Sequence, residues 1–190
     1  MNELITVVSG LPRSGTSMLM QMLAAAGYPC LTDSVRKADA DNPRGYFEYE
    51  KVKRLRRDCL WLSEAKGKVV KIIVQLIPFL PSQFNYRTIF IERAISEVLA
   101  SQRKMLQRQG KDGGNLSDVQ LGRIFERQVL EVKQMLAQRN IPILDVAHSE
   151  ALQYPMKIAE KIREFLSEDL DVCAMAAAID PNLHRQRCGQ

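Results

Sequence analysis

The stretch that most constrains the fold lies at the start of the chain, where a β-branched run, Leu4 to Ser9 (LITVVS), ends in Gly10-Leu11-Pro12-Arg13-Ser14-Gly15-Thr16-Ser17. From Ser17 onward Leu19, Met22, Leu23 and Ala26 recur at helical spacing, and Gly27 stands where a left-handed helix cap belongs. A strand, a glycine loop and a helix in that order place backbone N–H groups and a helix N-terminus together, which is an anion site. Gly10-x4-Gly15-Thr16-Ser17 has the glycine spacing of a phosphate loop, but Thr16 stands where a nucleoside triphosphatase has its lysine. The loop's cation comes earlier, at Arg13.

The rest of the chain supplies the partners such a unit needs. Val69 to Gln75 (VVKIIVQ), Arg87 to Ile91 (RTIFI) and Ile141 to Ala147 (IPILDVA) read as strands, and the first two are apolar on both faces, as a covered parallel sheet requires. Helices are predicted from about Glu48 to Glu64, Ala94 to Arg108, Asp118 to Arg139, from Pro155 onward, and over Leu170 to Ile179. Ser117-Asp118-Val119-Gln120 has the pattern of a capping box. The expected architecture is a three-layer α/β fold of the P-loop type, one domain over residues 1–190. Its central, mainly parallel sheet has four or five strands, flanked by helices, and ligands sit at the strands' carboxyl ends. Residues 28–47 and 105–117 carry turn chemistry and are expected to surround a substrate.

Composition narrows the function. The 190 residues include 27 Lys and Arg against 22 Asp and Glu, a formal charge of +5, which favours anionic partners. Aromatic residues are not interleaved with the cations as in a stacking platform, so a small, highly charged ligand fits better than nucleic acid. Cys30, Cys59, Cys173 and Cys188 are widely spaced, and with only His148 and His184 they make no zinc set; no metal ligands are predicted. No apolar run approaches the roughly 20 residues of a membrane span, and the start reads as a mature, cytosolic N-terminus.

Pro12-Arg13-Ser14-Gly15-Thr16-Ser17 resembles the 5′-phosphosulfate loop of the sulfotransferases, P-[KR]-S-G-T-[ST]. The family's second signature, an Arg at a strand end followed eight residues later by a Ser, is matched by Arg93 and Ser101. Asn42-Pro43-Arg44-Gly45-Tyr46-Phe47-Glu48 and the tail Asp180-Pro181-x-Leu183-x-Arg185-x-Arg187 are similar to segments of small bacterial-type members, and His148-Ser149-Glu150 stands where these often show Tyr-Glu-Asp. The resemblance implies transfer of a sulfuryl group from 3′-phosphoadenosine 5′-phosphosulfate (PAPS) to a hydroxyl or amine of a small-molecule or carbohydrate acceptor, leaving 3′-phosphoadenosine 5′-phosphate (PAP). It places Arg13 between the sulfuryl group and the leaving phosphate, Ser14, Gly15, Thr16 and Ser17 on the 5′-phosphate, and Arg93 and Ser101 on the 3′-phosphate. Arg185 and Arg187 become further phosphate contacts, the alternative for them being a frayed, solvated terminus.

Glu48 is the first candidate for the base that deprotonates the acceptor, with Glu50 behind it; the alternative for Glu48 is a helix N-terminal residue favoured by the macrodipole. Lys71, a lone charge in an apolar strand, either stabilises the transferring group or snorkels from an edge strand. His148 is better explained by packing than as a base. Arg93 and Ser101 could also be a surface ion-pair partner of Glu97 and a solvated residue. Two other readings stay open: a P-loop kinase or nucleotide hydrolase using Asp145 for magnesium, and a nucleotide-binding module without turnover.

Overall fold

A computed structural model describes residues 3–33, 35–36, 45–111 and 114–180. Four strands form one parallel sheet in the order β2-β1-β3-β4: β1 (Ile5–Gly10), β2 (Val69–Lys71), β3 (Tyr86–Glu92) and β4 (Ile143–Ala147). Val7 pairs with Val70 on one side and Thr88 on the other, and Ile89 with Leu144. Helices α1 (Thr16–Ala25), α2 (Ile95–Arg108), α3 (Asp118–Gln138), α4 (His148–Gln153), α5 (Pro155–Leu166) and α6 (Val172–Ala177) complete the described elements together with three 3-10 segments, Glu50–Arg54, Leu60–Ala65 and Val74–Phe79.

The period-2 alternation of the strands divides the core in two. Ile5, Val7, Tyr86 and Phe90 face one layer, where α2, α3 and the 3-10 segments contribute Val98, Phe125, Leu136, Trp61 and Ile77. Val8, Ile89, Ile91 and Val146 face the other, against Leu19, Leu23, Ile158 and Met175 of α1, α5 and α6. This is the expected three-layer α/β arrangement with an all-parallel, four-stranded sheet. From β1 the chain crosses by α1 to the β2 edge; from β3 it crosses by α2 and α3, on the opposite face, to β4. The carboxyl ends of β1 and β3 therefore flank a topological switch point, where an open sheet leaves a crevice.

Several expected boundaries shift. The helix expected over Glu48 to Glu64 is two 3-10 segments, because Asp58 diverts the backbone between them. Its Oδ1 accepts from the Leu60 N–H and its carbonyl from Trp61 Nε1. The strand expected to reach Gln75 stops at Lys71: Ile72 N–H still donates to Val8 O, and then the chain turns into the 3-10 segment around Pro78. Helix α4, directly after β4, has no counterpart in the periodicity reading. The capping box at Ser117 and Gln120 forms as expected.

Candidate functional site

Gly10, at the end of β1, has φ +154, and a Cβ there would lie 2.5 Å from both Ile91 O and Ser14 Oγ, so only glycine lets the loop start this close to β3. Arg13 holds the left-handed region at φ 73, an unusual place for a branched-off side chain, and Gly15 follows at φ 111. Ser14 N–H closes a turn onto Leu11 O. Helix α1 then starts at Thr16 with no capping side chain and no acid in its first turn; Met18 N–H donates to Gly15 O, which leaves the Thr16 and Ser17 amides without an intrahelical acceptor and suited to cradle an anion.

This cradle forms one wall of a cavity of about 610 Å³ at the carboxyl ends of all four strands. Pro12, Arg13, Gly15, Thr16 and Ser17 line it after β1, Lys71 and Ile73 after β2, Arg93 and Ser101 after β3, and His148 and Leu152 after β4. Seven lysines and arginines, Arg13, Arg36, Lys53, Lys71, Arg93, Lys104 and Arg108, stand in the lining against two carboxylates, Glu48 and Asp180. The lining thus carries an excess of positive charge, which favours anionic ligands.

Arg13 Nε donates to Ser101 Oγ at 3.0 Å, and Arg93 Nη1 donates to Arg13 O at 3.3 Å, so the loop cation and the Arg-x7-Ser pair share one floor. The expected surface pair also exists: Arg93 Nε donates to Glu97 Oε2 at 2.7 Å, both side chains being largely buried. Glu97 sits one helical turn along and orients the guanidinium rather than removing it from the cavity. Ser101, 8% exposed, is buried rather than solvated.

Opposite them, the segment after Gly45 folds over β2. Lys71 is 7% exposed, and its Nζ donates to Tyr46 O and, at 3.5 Å, to Glu48 Oε1. Ser17 Oγ donates to the same Tyr46 carbonyl at 3.3 Å, tying this segment to α1. Burial pushes the Lys71 ammonium down to about 8; Glu48 opposes the shift, and Arg36 and Arg13 reinforce it. Arg36 reaches the same Glu48 Oε1 at 2.7 Å and stacks 3.3 Å above the Tyr46 ring. Phe47, between them, is left-handed at φ 50. Of the four described non-glycine residues with positive φ, Arg13 lines the cavity and Phe47 stands between two residues that line it, Tyr46 and Glu48; Asn140 and Ser167 lie elsewhere.

Not every expected residue faces this space in the same way. Ser14 is 1% exposed beneath the loop, its Oγ buried without a partner among the described residues, and only its backbone belongs to the cradle. Glu50 pairs with Lys53 at 2.6 Å and does not line the cavity. Asp145 pairs with Lys133 at 2.8 Å on the exposed side of β4, away from the loop. His148 packs on the loop glycine, where a Cβ at Gly15 would meet its Cδ2 at 2.7 Å, and also lines the cavity. Arg185 and Arg187, with Asn42, Pro43 and Arg44, lie outside the described residues. The sequence reading missed Arg36 and Tyr46 as site residues, which meet Glu48 and Lys71 only through non-local contacts, and Lys104 and Arg108. The last two were legible: spacings of three and seven from Ser101 put them on one helix face.

The fold recurs in solved structures. The sulfotransferase domain from the Synechococcus PCC 7002 olefin synthase superposes with a TM-score of 0.57 over 96% of this chain and 79% of its own, at 15% identity. The sulfotransferase domain from the curacin biosynthetic pathway gives 0.55 over 94% of this chain and 84% of its own, at 14% identity. This is a sulfotransferase-type fold. Mouse sulfotransferase SULT7A1, solved in complex with PAP, shares it with a TM-score of 0.51 and 16% identity over 97% of this chain and 64% of its own. No protein-family model and no curated protein matches the chain by sequence. Among the described residues, no helix is long and apolar enough to cross a membrane.

Proposed function

We propose that the chain is a sulfotransferase that moves the sulfuryl group of PAPS to a hydroxyl or amine acceptor. The observation that carries this reading is the 3.0 Å contact between Arg13 Nε and Ser101 Oγ, which brings two separately recognised sequence signatures to one cavity floor. The donor set suits a nucleotide with phosphates at both ends: α1 amides, Thr16 and Ser17 at one, Arg93 and Ser101 at the other.

PAPS supplies a sulfuryl group on a good leaving phosphate, so the protein's task is to place charge and take one proton. Arg13 and the loop amides hold the negative charge that gathers on the 5′-phosphate as its bond to sulfur breaks. Lys71, in its ammonium form below about pH 8, lines the same cavity and would stabilise the charge on the sulfuryl oxygens. Glu48 Oε1 takes both Arg36 and Lys71, while Oε2 carries no hydrogen bond among the described residues and is the oxygen open to the acceptor's proton. The new S–O or S–N bond forms as that proton leaves.

Titration calorimetry of PAP against AMP and ATP tests the reading. Binding of PAP at least about a hundredfold tighter than AMP is expected from two charge-assisted contacts to the 3′-phosphate. Equal affinities, or a preference for ATP with magnesium, would overturn it.

A further inference from the structure

The donor leaves part of the cavity's charge unexplained. Arg13, Arg93 and Lys71 face its anionic groups, but Arg36, Lys53, Lys104 and Arg108 also line the space, and Lys104 makes no ion pair among the described residues. Lys53 stands at the rim, its side chain 59% exposed, and belongs to the run Lys51-Val52-Lys53-Arg54-Leu55-Arg56-Arg57, five cations in seven residues.

Local geometry turns this run into a rail. The 3-10 segment Glu50–Arg54 runs into a turn over Leu55 to Arg57 that keeps the same bonding, Leu55 N–H to Val52 O and Arg57 N–H to Arg54 O, and in such geometry side chains three apart eclipse one another. Val52 and Leu55 form the buried column, 6% and 3% exposed, which fixes the other two columns outward: Lys51, Arg54 and Arg57 in one, Lys53 and Arg56 in the other. Lys51 is held by Glu64 and Arg56 lies over the Phe79 ring, but Arg54 and Arg57 are exposed and make no ion pair among the described residues. A stripe of like charge leading out of a cationic cavity is costly to keep unless an anion lies along it.

We propose that the acceptor is an acidic oligosaccharide, one end seated in the cavity and its chain running over Lys53, Arg54 and Arg57. This rests on the sulfuryl-transfer reading of the cavity. A sugar chain brings both required properties, hydroxyls to accept the group and regularly spaced carboxylates or sulfates to meet the rail. Gln21, Gln109 and the cations give the cavity hydrogen-bonding walls suited to a polyhydroxylated ligand. A nucleic acid would want aromatic faces, and the Tyr46 face is already covered by Arg36. An acidic peptide meets the charge but brings far fewer hydroxyls.

The test is calorimetry on the full chain with hexagalacturonate, uncharged maltohexaose and hexaglutamate, with PAP titrated in parallel. Hexagalacturonate should bind at least about tenfold tighter than either control, and Arg54→Glu/Arg57→Glu should weaken it at least about tenfold while PAP affinity stays within twofold. Arg54→Gln/Arg57→Gln should give a smaller loss of the same sign. Arg123→Glu/Arg163→Glu, with the same change in net charge on other faces, should change nothing. The proposal fails if hexagalacturonate does not bind, if the Arg54/Arg57 variants leave it unchanged, if the control pair weakens it equally, or if hexaglutamate binds more tightly. Failure of PAP to bind the wild-type chain would strike the donor reading instead, and the saccharide titration is read independently of it.

Discussion

Arg13 Nε and Ser101 Oγ are hydrogen-bonded at 3.0 Å across 88 positions of sequence. The contact joins the loop after β1 to the second turn of α2, and an anion entering between them must exchange that bond for its own. In the proposed donor complex Ser101 would then donate its hydroxyl proton to a 3′-phosphate oxygen, and the Arg13 guanidinium would be free to turn toward the 5′-phosphate.

Ser101→Ala should therefore weaken PAP about tenfold, since a hydrogen bond to a charged group is worth about 1.5–3 kcal/mol and breaking the Arg13 contact offsets part of it. AMP, which lacks the 3′-phosphate, should be unaffected. Arg93→Ala should cost more, about a hundredfold, because it also takes the Arg93 cation away from the largely buried Glu97 carboxylate, whose charge would then repel the phosphate. Arg54→Ala should leave PAP within twofold. Equal losses for Arg93 and Arg54 would remove the second half of the nucleotide site.

Lys71 ties stability and ligand affinity to pH. Its folded pKa lies near 8 against an ordinary 10.5, so between those values the unfolded chain binds more protons and stability rises with pH. Below pH 8 both states are protonated and the full penalty of burying the ammonium is present. Lys71→Met should raise Tm below pH 8, with the gain shrinking as pH climbs toward 10.5. PAP affinity should fall in the wild-type chain above pH 8 as the ammonium is lost, and Lys71→Met should flatten that dependence. A Tm difference independent of pH would show that burial does not set this group's charge.

These groups differ in how far the sequence reveals them. Arg13 and the glycines belong to a local strand-loop-helix whose geometry is written in consecutive residues, and Arg93 and Ser101 are linked by a spacing that one helix enforces. Lys71 was visible only as an isolated charge, and Glu48 only as the end of a segment similar to one in sulfotransferases. Their pairing depends on the chain folding back after Gly45, a non-local event, and so does the arrival of Arg36 at the same oxygen. The apolar positions 52, 55, 59 and 62 suit an α-helix as well as two 3-10 turns, and it took Asp58's bonds to Leu60 and Trp61 to decide. The run after Lys71 was ambiguous for the same reason, since a buried turn and a buried strand have the same hydrophobicity.

Gly15 is squeezed between His148 and Ile91. A Cβ there would meet His148 Cδ2 at 2.7 Å and Ile91 Cδ1 at 3.0 Å, and φ 111 is strained for any side chain. Gly15→Ala should lower Tm and weaken PAP at least about tenfold by shifting the loop amides. Adding His148→Ala should recover part of the Tm loss by opening space, and little of the binding, because the backbone strain remains. Full recovery of both would locate the whole effect in side-chain contact.

Arg87 separates stability from binding. Buried at the amino-terminal half of β3, far from the strand ends that carry the cavity, its guanidinium donates to Thr6 Oγ1 at 2.9 Å, Tyr28 Oη at 2.8 Å and Leu166 O at 2.5 Å, with Glu168 at 3.7 Å. It thus joins β1, the end of α1 and the end of α5. Arg87→Met keeps most of the volume but leaves the Leu166 carbonyl without this donor; Thr6 and Tyr28 still have each other at 3.0 Å. The cost should be about 3 kcal/mol, within the range for breaking a buried charged network. Denaturant unfolding should show that loss in the midpoint with an unchanged slope, while PAP affinity measured well below the new Tm stays within twofold. A matching loss of PAP affinity would mean that this network, and not the local loop geometry, holds the nucleotide cradle in place.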